Sequence, residues 1–186
     1  MARSISILPG KEVFLLQSSH SHIRKLALAG LLVAVAVVCS PLSIPVGASK
    51  CFPVQHLVNI LAGVFLGPWY GAGMAFCTSL VRVMLGTGSL LAFPGSMCGA
   101  LLCGLLYRAG QKLSLAYLGE LVGTGLLGAL AAYPMATLVM AKETALFAYV
   151  LPFGISSLGG TVIAVLLIGA LQRAGVLARL QKGVEG

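Results

Sequence analysis

"RKLALAGLLVAVAVVCS", residues 24–40, sets two cations at the head of an apolar run in which nothing from Leu26 to Ser49 carries a charge. Four more such runs follow: Cys51 to Val81, Val83 to Tyr107, Leu121 to Ala141 and Thr144 to Gln172. Each can hold at least one span of about 20 residues, the length a helix needs to cross a bilayer. Hydrophobic residues make up 59% of the 186 positions and charged residues 9%, against roughly 25% charged in soluble domains. The mean hydropathy is +1.03. Strand-like alternation is absent, so the expected class is an all-α integral membrane protein, helices being the spanning element when no alternating pattern supports a barrel.

Gly and Pro punctuation divides the apolar mass into six spans. They are expected at about Arg24–Ser40, Val54–Leu66, Ala72–Leu85, Ser96–Tyr107, Leu115–Met140 and Phe153–Leu171. The second and fourth look short for a bilayer. Residues 1–23 lack the apolar core and cleavage site of a signal peptide and are read as a cytoplasmic tail, with a short interfacial helix near Val13 to Leu16 as the alternative. Residues 24–175 form the membrane domain and 176–186 a second cytoplasmic tail. Cytoplasmic termini put nine of the twelve basic residues inside and leave Lys50, Arg82 and Lys142 toward the exterior, as the positive-inside rule favours. Trp69 and Tyr70 fall at the inner interface, where aromatic rings anchor helices.

Several functions are excluded or weakened. The formal charge of +8 is scattered between apolar runs without aromatic interleaving, so no nucleic acid is implied. There is no aspartate, and the four glutamates are Glu12, Glu120, Glu143 and Glu185; no pair of intramembrane carboxylates can be assembled for ion coupling. A phosphate-cradling GxxxxGK[ST] loop is missing, so any ATP is hydrolysed by another subunit. The five cysteines show no CxxC spacing, which points to buried thiols and to no metal site. Ser96 and His56 evoke an intramembrane serine protease, but such an enzyme takes its base from a helix after the serine, and His56 is the last histidine.

"SKCFPVQHLVN", residues 49–59, is the polar exception. In a helix from Val54, Gln55 and Asn59 are four residues apart and His56 and Asn59 three, so all three can look toward one side. Facing lipid they would lack partners, so that side faces the bundle or a cavity. Two readings stay open, interhelical hydrogen bonding and ligand contact. Phe52 and Pro53 at the helix start, the Gly86–Gly88 turn, and Phe93 with Ser96 at the next helix start favour a small-molecule pocket beneath the outer connections. Arg82 either snorkels to the interface, pairs with Glu143, fixes loop carbonyls or touches ligand. Glu120 reads as a partner for Lys112 or an inner-surface contact. On the first helix Gly30 and Ala34, like Ala36 and Ser40, have the small-xxx-small spacing that lets another helix approach, either within the bundle or from a separate subunit.

"SIPVGASKCFPVQHLVNILAGVFLGPWYGAG" and "MLGTGSLLAFPGSMCGALLCGLLYR", residues 43–73 and 84–108, resemble the ThiW family, over roughly residues 24 to 175. The resemblance implies an S component, the substrate-binding subunit of an energy-coupling factor transporter, taken to import hydroxyethylthiazole, the thiazole precursor of thiamin. It implies a six-helix bundle in the plasma membrane of a prokaryote, a membrane coupling protein and two cytosolic ATPases as partners, and no cofactor, metal or catalytic residue. It further implies stacking of the thiazole by Phe52, Phe93 and Tyr133, with Gln55, His56, Asn59, Thr87, Ser89 and Ser96 as hydrogen-bond candidates. A proline kink at Pro134 is the rival explanation for Tyr133. The family's first helix meets the coupling protein through an AxxxA-like pattern, and this chain offers Gly30 and Ala34 instead.

Overall fold

The computed structural model describes residues 11–46 and 49–185, with side chains at 21–45 and 50–184. Seven helices and one hairpin run in the order α1 (Lys11–Val38), β1 (Ile44–Val46), β2 (Ser49–Cys51), α2 (Pro53–Phe65), α3 (Pro68–Met84), α4 (Ala92–Gly110), α5 (Leu113–Val139), α6 (Val150–Arg173) and α7 (Val176–Glu185). Among the described residues, α1 from Ser21, α5 and α6 are long and apolar enough to cross a membrane. As expected, α2 is short: its 13 residues extend about 20 Å, against a hydrocarbon core of about 30 Å. The fourth span is longer than expected, because α4 begins at Ala92 and continues for 19 residues.

Proline and glycine set the helix ends. Pro53 and Pro68 open α2 and α3, where a missing N–H costs nothing. Between those helices Gly67 takes φ +83°, a conformation that carries no steric cost only for glycine. The long α5 is interrupted twice by π-helical turns, at Gly123–Gly128 and Met135–Val139. The second follows Pro134, whose ring and absent N–H disrupt the regular ladder. Thr137 Oγ1 donates to the Tyr133 carbonyl at 3.0 Å.

α4 is the central helix, packed against α2, α3 and α5, while α6 lies across α2 and the first π-turn of α5. Small residues permit this approach: a Cβ at Gly123 would stand 2.7 Å from the Cys98 carbonyl, and one at Gly128 would stand 2.6 Å from the Gly95 Cα. Ile60, Val64, Cys103, Ala116, Ala164 and Ile168 form one apolar cluster, and Leu32, Ala36, Val58, Ala62, Leu66 and Met74 another. Outside lies an apolar shell including Val38, Leu138, Leu151 and Leu166, all at least 70% exposed, whereas Gln55, His56, Asn59, Arg82 and Glu120 are all at most 7% exposed. Polar groups inside and leucine outside is the arrangement a hydrocarbon solvent selects, since bare polar groups are costly there.

Both segments expected to be tails contain helix. Residues 1–10 lie outside the description, but α1 starts at Lys11. At the other end α7 folds back under the bundle: Leu177 joins the first apolar cluster, and Gln181 Nε2 donates to Tyr107 Oη at 2.8 Å. Trp69 is exposed, while Tyr70 Oη lies 2.6 Å from His22 Nδ1. The connection after α1 holds an unanticipated two-stranded antiparallel hairpin, Ile44 opposite Cys51. Three-residue strands are too short to show alternation.

Candidate functional site

The three connections at one end of the bundle, namely the hairpin, the α3–α4 turn and the α5–α6 connection, enclose a cavity of about 440 Å³. That volume lies within the roughly 300–1,000 Å³ typical of small-molecule sites. The hairpin is anchored to α6, with Phe52 N–H donating to Ser156 Oγ at 2.8 Å and Cys51 Sγ reaching the Pro152 carbonyl at 3.6 Å. Phe52 thereby forms one wall.

Arg82 forms the next. It is 1% exposed, so snorkelling is ruled out. Its guanidinium donates to Gln55 Oε1 and, at 3.2 Å, to the Thr87 carbonyl, with the Phe52 ring centroid 4.1 Å from Cζ. Among the described residues Glu143 makes no ion pair with it. Of the four fates open to Arg82 in the sequence, the fixing of a loop carbonyl is therefore present. The loop closes in return: Thr87 and Gly88 N–H groups donate to the Arg82 carbonyl at 2.9 and 3.0 Å. Gly86, at φ +70°, makes that turn possible.

Beneath the cavity floor lies a carboxylate that the sequence reading misplaced. Glu120 does not face Lys112 or the bundle end. It is fully buried, and its Oε1 accepts three hydrogen bonds: from His56 Nδ1 at 2.8 Å, Asn59 Nδ2 at 3.1 Å and Thr124 Oγ1 at 2.8 Å. Asn59 Nδ2 also donates to the Ser96 carbonyl at 3.3 Å, and Ser96 Oγ returns a bond to Asn59 Oδ1 at 3.2 Å. Oε2 has no hydrogen-bond partner among the described residues and lies only 2.7 Å from where a Cβ on Gly99 would stand. Glycine at 99 is thus what lets α4 and the carboxylate coexist. With Nδ1–H committed to Glu120, His56 directs Nε2 as its remaining polar atom.

Gln55, His56 and Asn59 do not act as one face. Gln55 turns to Arg82, while His56 and Asn59 turn to Glu120, so bundle bonding and exposure to the cavity coexist for Gln55 and His56. Of the residues expected at the site, Phe52, Gln55, His56, Arg82, Thr87, Ser89 and Ser96 line the cavity, and Asn59 supports its floor. Two do not reach it. Phe93 packs on Phe76, with ring centroids 5.4 Å apart, and half-buried Tyr133 lies on α5 next to the Pro134 disruption. Their aromatic place is taken by Tyr149 and Phe153, 6.0 Å apart at the start of α6, with Lys50, Thr124, Lys142 and Ser156 also on the wall. Phe153 could have been inferred from Gly95, where a Cβ would stand 2.7 Å from its ring, but that pairing is invisible along the chain.

The two small-residue pairs of α1 separate. Ala36 and Ser40 are buried, with Ser40 Oγ donating to the Ala36 carbonyl at 3.0 Å. Gly30 and Ala34 are exposed, and nothing lies within 4 Å of a Cβ built at Gly30.

A half-open site with hydrogen-bonding walls, aromatic rings and an apolar outer shell is the form of a membrane protein that binds a small polar solute. No curated protein and no solved structure matches the chain. The family model described as thiamine-precursor transporter protein (ThiW) matches residues 26–174, which contain every helix of the bundle from α2 to α6 and the C-terminal part of α1. The chain belongs to the thiamine-precursor transporter family.

Proposed function

We propose that the chain is the substrate-binding S component of an energy-coupling factor transporter, which captures hydroxyethylthiazole from outside and depends on a membrane coupling protein and two cytosolic ATPases for inward release. The six-span topology with cytoplasmic termini belongs to this reading and places the cavity end outside. The observation that carries it is the hairpin-covered cavity, which joins aromatic walls (Phe52, Tyr149, Phe153) to hydrogen-bonding groups held in place by partners of their own. A flat, hydroxyl-bearing heterocycle needs that combination. His56 offers Nε2 to the hydroxyl, Gln55, Ser89 and Ser96 offer further polar contacts, and the rings offer faces for the thiazole. The hairpin and the Gly86–Gly88 turn are the elements that must shift for the ligand to enter. No bond is made or broken, so neither a cofactor nor a catalytic group has a task.

Gly30 and Ala34 form the docking stripe for the coupling protein in this reading, and their outward position supports it. A residue such as leucine at position 30 is accommodated by the bundle itself, so Gly30→Leu should leave ligand binding intact and reduce uptake only in the presence of the partners.

A self-sufficient secondary transporter is the second reading, favoured by one observation, the buried His56–Glu120 pair. Intramembrane ionisable pairs are frequent elements of coupled transport. The two separate in one experiment: hydroxyethylthiazole uptake is measured in vesicles containing the chain alone and in vesicles containing the chain with the coupling protein and ATPases. Accumulation by the chain alone would overturn the first reading, and strict dependence on ATPases would remove the second. Absence of calorimetric binding to the purified chain would sink both.

A further inference from the structure

Among the described residues, the lysines and arginines that come to the cavity end are Lys50, Arg82 and Lys142, and all three line the cavity. Others are gathered at the opposite end, where Lys25, Arg108 and Lys182 line a separate basin and Arg24 reaches the Gly183 carbonyl. Lys50 belongs to β2, Arg82 to the last turn of α3 and Lys142 to the segment after α5, so three separate parts of the chain deliver one cation each to the same cavity. In the proposed topology this is the outer side, where positive charge has no topogenic use.

Among the described residues no carboxylate lines the same wall. Glu143 is exposed, lies outside the lining, and makes no ion pair among the described residues. Glu120 stands behind the floor, with His56, Asn59 and Thr124 on Oε1. Leaving His56 aside, three cations less this one carboxylate leave two positive charges facing the ligand space. Arg82 also keeps a buried Nε without a partner among the described residues. A neutral alcohol could accept from that Nε–H but would leave the positive charges unbalanced. A phosphate monoester, with a charge of about −1.5 to −2 and three strong acceptor oxygens, would balance it.

We infer that the cavity is built for an anionic ligand, a small heterocyclic alcohol carried as its phosphate monoester, with Lys50 and Lys142 at the mouth meeting the phosphate. The inference rests on the proposed thiazole-capture reading, puts the phosphate ester in place of the free hydroxyl there assigned to His56, and makes the charge of the ligand its deciding feature. Lysine suits such a role because a flexible ammonium can follow a phosphate as a point charge.

The test is calorimetry on the detergent-purified full chain with two probes, hydroxyethylthiazole and its phosphate monoester. At low ionic strength the monoester should bind about tenfold more tightly or better, and the preference should shrink as salt shortens the Debye length from about 30 Å at 0.01 M toward 3 Å at 1 M. Lys142→Gln alone, and Lys50→Gln with Lys142→Gln, should draw the ratio of the two affinities toward one. Because the wild-type ratio is measured independently, a variant that fails to fold does not shelter the proposal. Equal affinities, or preference for the neutral alcohol, would overturn the anionic assignment and leave thiazole capture standing. A preference that the lysine variants do not change would overturn the role given to the lysines. Binding of neither probe would instead refute the thiazole reading beneath it.

Discussion

Glu120→Gln tests the buried hub at constant volume. The side chain keeps its shape, so there is no cavity to fill, and the change is confined to charge and donors. Two interhelical bonds end on Oε1, from His56 at 2.8 Å and Asn59 at 3.1 Å. Bonds to a charged acceptor contribute about 1.5–3 kcal/mol, roughly twice the neutral value, so each should weaken by about 1 kcal/mol. The new amide N–H₂ then occupies the position of Oε2, which has no partner among the described residues and faces Gly99. Leaving a donor buried there costs about 1 kcal/mol or more. The sum is about 3 kcal/mol, which for a chain of this size lowers Tm by about 6–12 °C. If interhelical bonds follow the membrane average of about 0.6 kcal/mol instead, the loss is nearer 2 kcal/mol. The assay is thermal unfolding of the detergent-purified chain beside calorimetry with hydroxyethylthiazole. Affinity should fall about tenfold, because His56 no longer has an anion to hold its Nδ1 proton and fix its ring. A melting point within about 2 °C of the parent with unchanged affinity would refute the idea that this carboxylate organises the floor.

His56→Ala and Asn59→Ala should each weaken hydroxyethylthiazole binding by about 1–3 kcal/mol, Asn59 through loss of the Ser96 and Glu120 bonds instead of direct contact; unchanged calorimetric affinity in both would return them to a purely structural role. Gly99→Ala should destabilise by about 1–3 kcal/mol, since its Cβ would stand 2.0 Å from Thr124 Oγ1, whereas Gly169→Ala, with nothing within 4 Å, should be neutral or slightly stabilising; equal thermal shifts would contradict the packing described. Arg82→Lys keeps the charge but loses the fork that joins Gln55 to the Thr87 carbonyl, and should loosen the α3–α4 turn, detectable as faster amide exchange at Thr87 and Gly88, whose N–H groups bond the Arg82 carbonyl.

Membrane residence, the helical class and near-correct boundaries for most helices were legible in the sequence because they depend on local quantities: uncharged runs, proline at first turns and glycine at stops. The polar exception at residues 49–59 also pointed to the end of the bundle where the cavity lies. What local reading could not supply was pairing across distance. Glu120 meets His56 across 64 positions, and a reading that placed it by its depth along one helix sent it toward Lys112. Phe93 looked like a site aromatic by position and Tyr133 by resemblance, yet one side chain turned to Phe76 and the other stayed beside a broken helix, while Tyr149 and Phe153 took the place in the wall. Hydropathy decides that a chain enters a bilayer, because transfer free energy adds residue by residue. Which polar groups then find one another is decided only when helices pack, because a buried donor must be satisfied by whatever neighbour the fold presents.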